Sequence, residues 1–108
     1  MDHLIVEDLV SGILQILAEQ AIRIVLYGSV ARGTDTPESD VDIAIFVRSK
    51  LDDKKDELLS DLIVDLNLKY NKVFSVIDID EDRYLKWRSV TPFYQNVDRE
   101  GIVLWAAA

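Results

Sequence analysis

The sequence predicts a small α+β domain, a sandwich of helices on a small sheet, because stretches with a helical repeat alternate with short β-branched runs in the order α-β-(α)-β-α-β-α. Leu4-Ile5, Leu9-Val10, Ile13-Leu14 and Leu17 recur every three to four residues and mark an amphipathic helix over 4–20. Ile22-Arg23-Ile24-Val25-Leu26-Tyr27 is a β-branched run that ends at Gly28, a buried strand closed by a turn. Ser29 to Arg32 predict a short helix that Gly33 stops, and Thr34 to Ser39 are a loop by composition. Val41 to Val47 is a second strand. A long helix follows over Asp52 to Tyr70, with Leu58, Leu59, Leu62, Ile63 and Leu66 on one face and acids crowding the first turn, where the helix dipole favours them. Val73 to Ile79 is a third strand. Thr91-Pro92, a capping hydroxyl before a proline, opens a last helix that runs to Glu100 and ends at Gly101. Ile102 to Trp105 is a short apolar tail or strand.

A length of 108 residues suits one domain spanning 1–108, and so small a core is compatible with a homo-oligomer or a partner contact. Hydrophobic residues at 49% and charged residues at 30% exclude a disordered chain. A net charge of −8 repels a phosphate backbone, so no double-stranded nucleic acid is expected as a partner, although a local basic patch suffices for one nucleotide. The absence of cysteine removes disulfides, thiolate metal sites and thiol nucleophiles. His3 is the only histidine, which removes serine–histidine catalysis and polyhistidine metal centres. No apolar run reaches the roughly 18 residues of a membrane span. Asp2, Glu7 and Asp8 break any signal-peptide pattern, and the chain reads as cytoplasmic.

Two local features carry chemistry. The first is the strand that runs into Gly28-Ser29 at the start of a short helix. Glycine lets the backbone approach a polyphosphate closely, free N–H groups face it, and the serine hydroxyl adds a donor. Gly28 and Gly33 have the separation of P-loop glycines, but Thr34 follows Gly33 directly and the P-loop lysine is missing, so this is not a P-loop. Arg32 can add charge from the same turn. Alone, Gly-Ser is far more often a tight turn with a serine helix cap than a phosphate site. The second feature is Asp40-Val41-Asp42. Strand alternation points both carboxylates to one face and Val41, Ile43 and Ile45 to the other. Two such charges repel unless a cation or proton relieves them, and hard oxygen donors suit Mg²⁺ bridging to phosphate. Alone, Asp-x-Asp can simply open a solvated strand. Together, Gly-Ser, ten residues and Asp-x-Asp between strands should arise by chance on the order of once per thousand such chains. They also assemble one device, a turn for the triphosphate beside carboxylates for its metal.

Gly28-Ser29-Val30-Ala31-Arg32-Gly33 through Ser39-Asp40-Val41-Asp42-Ile43 resembles the minimal nucleotidyltransferases of the DNA polymerase β superfamily, and the likeness extends to Phe93 through Ile102. It implies the palm-like nucleotidyltransferase fold, a mixed sheet with flanking helices. It implies a Mg²⁺ (or Mn²⁺) site at Asp40 and Asp42, the catalytic pair, and a site for ATP or another nucleoside triphosphate at Gly28, Ser29, Arg32 and Ser39. It implies transfer of a nucleotide, commonly AMP, to an acceptor hydroxyl. Many members resemble the antitoxin of a pair whose toxin is a HEPN-domain protein, and there the acceptor is a tyrosine of the toxin.

The superfamily places a third carboxylate on the next strand, as general base. Strand register puts Ser75 at that position, a weak ligand and a poor base at neutral pH. A shifted register would bring Asp78 there instead, and Asp65 is a further acid within the long helix. Two functions compete: an active transferase, and a weakened nucleotide-binding antitoxin that acts by direct protein contact. A small-molecule transferase fits less well, since aminoglycoside-modifying relatives usually carry a further domain for the acceptor. Arg83, Lys86 and Arg88 are suited to a triphosphate or an acidic partner, but they read more simply as a solvated segment beside a loop. Trp87, Trp105, Phe93 and Tyr94 divide between core and interface, and an exposed tryptophan would mark a partner surface.

Overall fold

A computed structural model describes residues Met1–Ala108. In chain order the elements are α1 (His3–Leu17), a 3₁₀ turn (Ala18–Gln20), β1 (Ala21–Tyr27), α2 (Gly28–Arg32), β2 (Val41–Val47), α3 (Asp53–Tyr70), β3 (Phe74–Asp80), α4 (Glu81–Trp87), α5 (Pro92–Glu100) and β4 (Ile102–Ala106). The strands form one mixed sheet in the order β3-β2-β1-β4. β1 is antiparallel to both β2 and β4, whereas β2 and β3 are parallel. A parallel pair needs a long crossover, and α3 with its flanking residues supplies it. The predicted α+β architecture is the one observed.

β2 reads as an almost unbroken apolar run because both of its faces are covered. Val41, Ile43, Ile45 and Val47 join Ile5, Leu9, Ile13 and Leu17 of α1 and Leu59 and Leu66 of α3 in the larger core. On the opposite face, Ala44 and Phe46 pack with Val25, Tyr84 of α4 and Val97 of α5. Asp52 caps α3, its carboxylate accepting from the Lys55 N–H at 2.8 Å, and the helix ends at Asn71 in the left-handed region. Lys69 and Tyr70, in the last turn of α3, both donate to Asp8 of α1 and hold its carboxyl below the usual range. No helix is long and apolar enough to cross a membrane.

The structure differs from the sequence expectation in three places. The first helix stops at Leu17 rather than at residue 20, because Ala18 takes a φ of 49°. The following turn is tied to the loop after β2: Arg48 donates to the carbonyls of Glu19 and Gln20, and the Gln20 amide donates to the Ser49 carbonyl. The segment around Arg83 is a helix, with Asp80 capping the Asp82 N–H and Tyr84 buried on the sheet. Thr91 does precede α5, but its hydroxyl makes no capping bond, so Pro92 alone marks that start. The terminal apolar segment is a true strand, β4, paired with β1.

Candidate functional site

The site begins where β1 ends. Gly28 opens α2 with a φ of 77°, a left-handed conformation that glycine adopts without steric cost. A Cβ at Gly28 would also overlap the Asp42 carboxylate, whose Oδ2 fills that space. The turn and the acid are therefore packed against each other, with no room for a side chain between them. Gly33, which closes α2 at a φ of 75°, has open space around it. This pair gives a built-in control. Gly28→Ala is expected to cost about 1–3 kcal/mol of stability through backbone strain and displacement of Asp42, and Gly33→Ala about 1 kcal/mol through strain alone. Equal losses in urea unfolding would refute close packing of Gly28 on Asp42.

Strand register brings the remaining groups to the same corner. Asp42 is opposite Tyr27 on β1 and opposite Ser75 on β3, so these three side chains share the sheet face that α4 and α5 cover farther along. Asp40 lies just before β2 and is exposed. Partial burial pushes the Asp42 carboxyl above its usual range, the negative charge of Asp40 adds to the rise, and Arg32 opposes it. Asp78 pairs with Ile45 and stands on the other face with Phe74 and Val76, towards α3, so the register leaves Ser75 and not Asp78 beside Asp42. Asp65, on α3, lines a groove with Asp8 and Lys69 of the α1–α3 layer and is not part of this corner. No cluster of three acidic or histidine side chains with metal-holding geometry is present.

Two other residues singled out by the motif are engaged elsewhere. The Arg32 guanidinium pairs with Glu100 of α5 at 2.9 Å, although its charge still acts on Asp42. The Ser39 hydroxyl accepts from the Thr36 N–H at 2.9 Å and closes its own loop. The largest cavity, about 630 Å³, lies beside that loop and the start of α1, and its lining includes Ser39 but none of Gly28, Ser29, Asp40 and Asp42. Asp40, exposed, and Asp42, partly buried, form a shelf outside that cavity. Tyr27 walls this shelf, its ring edge-on to Phe93 of α5 at 5.7 Å, and burial together with Asp42 raises its hydroxyl pKa. Tyr27 belongs to no motif in the sequence. Only the alternation of β1 from Val25 directs it to this face.

The chain has relatives among known proteins. The family model described as polymerase beta, nucleotidyltransferase matches residues 12–107. A Methanocaldococcus jannaschii protein designated a protein adenylyltransferase is 39% identical over 83 residues, which make up 77% of each chain. A crystal structure of a toxin–antitoxin with AMP-PNP superposes with a TM-score of 0.63 at 24% identity, over 94% of this chain and 73% of the other. A tri-AMPylated Shewanella oneidensis HEPN toxin in complex with MNT antitoxin gives 0.62 at 21% identity, over 99% of this chain and 74% of the other. At these identities the structural likeness speaks to the fold.

Proposed function

The chain belongs to the polymerase beta nucleotidyltransferase family, and from that premise we propose that it transfers AMP from ATP to a tyrosine hydroxyl of a HEPN-domain protein. The observation that supports this reading is the Gly28 turn packed directly on Asp42, a glycine backbone of the kind that can approach phosphate closely, beside one acid of the pair. Support for the adenylyl group comes from the designation of the relative, and support for the partner from the toxin–antitoxin complexes that share the fold.

In this reading, the N–H groups of α2 and the Ser29 hydroxyl hold the triphosphate, and the charge of Arg32 offsets that of the phosphates. The donor set fits a divalent cation. Asp40 and Asp42 repel each other and Asp42 is partly desolvated, and Mg²⁺ takes one or two carboxylates with phosphate oxygens and waters. Bound there, Mg²⁺ or Mn²⁺ would neutralise charge on the phosphates. The acceptor oxygen bonds to the α-phosphorus, the bond to the β-phosphate oxygen breaks and pyrophosphate leaves. The hydroxyl proton passes to solvent, since Ser75 offers no base. The test is incubation of α-labelled ATP with the HEPN partner and Mg²⁺. Label on a partner tyrosine with the wild type and none with Asp40→Asn is the expected result, and an unlabelled partner would refute it.

Ser75 opposite Asp42 favours a second reading, a weakened transferase that retains nucleotide and neutralises its partner by contact. Neutralisation that survives Asp40→Asn with Asp42→Asn would support it. Loss of neutralisation would count against it. Ser75→Asp measures what the missing acid costs. Transfer should rise about 10²-fold, as general-base assistance usually contributes. An unchanged rate in a folded Ser75→Asp protein would show that the third acid is not limiting.

A further inference from the structure

Glu100, the last residue of α5, is fixed by the fold beside the turn into α2. Gly101 follows it and is seated so closely on β1 that a Cβ there would lie 2.6 Å from Val25 Cγ1 and overlap the Val97 carbonyl. Ile102 then opens β4 opposite Leu26, two residues before Gly28. The end of α5 is thus pinned to the end of β1. A helix C-terminus is an unfavourable place for a carboxylate, because the helix dipole already puts negative charge there. Arg32 of α2 offsets this charge, its Nη1 donating to Glu100 Oε2 at 2.9 Å. The Glu100 side chain is 22% exposed and that of Arg32 46%, so the carboxylate is the more firmly held member of the pair.

Arg32 has other acids to choose from. Its charge reaches Asp42, where it opposes the rise of the carboxyl pKa, yet it forms an ion pair with Glu100 and with neither Asp42 nor Asp40. Its Nε and Nη2 make no hydrogen bond. The remaining charged groups of the region are disposed elsewhere. Asp98 accepts from the Tyr84 hydroxyl and pairs with Arg88, Arg99 donates to Asn96, and Asp35 and Glu38 line the cavity that also holds Lys72. A guanidinium paired with Asp42 or Asp40 would occupy the oxygens that a divalent cation needs.

We infer that Glu100 is a positioning residue: it keeps Arg32 off the Asp40–Asp42 pair, which leaves those carboxylates free for a divalent cation and the other N–H groups of Arg32 free for phosphate. The inference rests on the transferase reading for the cation and the phosphate. Glu100 acts through Arg32 alone. Its pinned backbone lets it hold the arginine without following it towards the acids.

The probe is Mn²⁺ alone, its binding to the nucleotide-free protein followed by electron paramagnetic resonance. Four proteins form a cycle: the wild type, Glu100→Gln, Arg32→Gln and the double variant. Glutamine keeps the shape of Glu100 and removes its charge, and both side chains reach solvent, so the fold should be retained. With Glu100 neutral, Arg32 turns to the acids, and Mn²⁺ should bind about tenfold more weakly. In the Arg32→Gln protein the same change at Glu100 should alter Mn²⁺ binding by less than about twofold, because no arginine remains to be released. An equal loss in both backgrounds overturns the inference, since Glu100 would then act by its own charge. So does Mn²⁺ binding that Glu100→Gln leaves unchanged while the urea midpoint falls, since the pair would then only join α2 to α5. A cycle that behaves as expected in a protein that labels no partner sinks the transferase reading and leaves the role of Glu100 standing. A wild type that binds no Mn²⁺ overturns both.

Discussion

Replacing Asp42 by asparagine is expected to reduce transfer on the order of 10³-fold and, at the same time, to stabilise the metal-free protein at neutral pH. The two effects share one cause. The Asp42 carboxyl is pushed above its ordinary range by partial burial and by Asp40, so the folded state resists its ionisation. The sign follows from proton binding. Between the unfolded pKa and the higher folded one, the folded protein holds more protons, so stability falls as pH rises through that window and remains lower above it. Asparagine carries no charge to be resisted. Asp42→Asn should therefore have the higher melting temperature at pH 7, and the gap should close as acidification below the usual carboxylate range protonates the wild type. A divalent cation reverses the order. Mg²⁺ with ATP should raise the melting temperature of the wild type by mass action and leave Asp42→Asn unmoved. An asparagine variant no more stable than the wild type without metal would show that Asp42 is not under electrostatic strain. A variant stabilised equally by Mg²⁺ would remove Asp42 from the metal.

What could be read from the sequence was what depends on neighbours along the chain. The run from Val41 to Val47 and the long helix were legible because alternation, periodicity and length are local properties, although Asp52 proved to be the cap of that helix rather than its first residue. Ser75 could be set opposite Asp42 because two regular strands of equal length leave little freedom in their register. Other features depend on distant partners. The helix over Glu81–Trp87 has only seven residues, too few for a periodic signal, and it is held by Tyr84 on the sheet. Ala18 leaves the helix because residues 48–50 capture the turn after it, and nothing near Ala18 in the sequence announces them. Arg32 looked free in its motif, yet Glu100 of α5 partners it in space. Its carboxylate lies far along the chain, so the competition between Glu100 and a phosphate for Arg32 becomes visible only in the fold.

The largest loss of stability should follow Phe46→Ala. Phe46 is 1% exposed, on the strand that carries Asp42, and its ring meets Tyr84 edge-on at 4.9 Å. The Arg23 guanidinium lies 3.8 Å over the same ring while donating to Glu81, the first residue of α4, at 2.8 Å. One side chain thus joins β1, β2 and α4. Its truncation should cost about 3–5 kcal/mol through lost burial and the cavity left behind, a large part of the roughly 5–15 kcal/mol that holds a typical domain. The melting temperature should fall by roughly 10–20 °C. A loss below about 1 kcal/mol would mean that α4 does not pack on β2 as described. A cycle with Tyr84→Ala separates the cavity from the aromatic contact. The two residues touch, so the double variant should lose less than the sum of the singles, by about 0.5–1.5 kcal/mol. Strict additivity would mean that the ring pair contributes nothing beyond its burial, and that α4 is held on the sheet by Arg23 and Glu81 rather than by Tyr84.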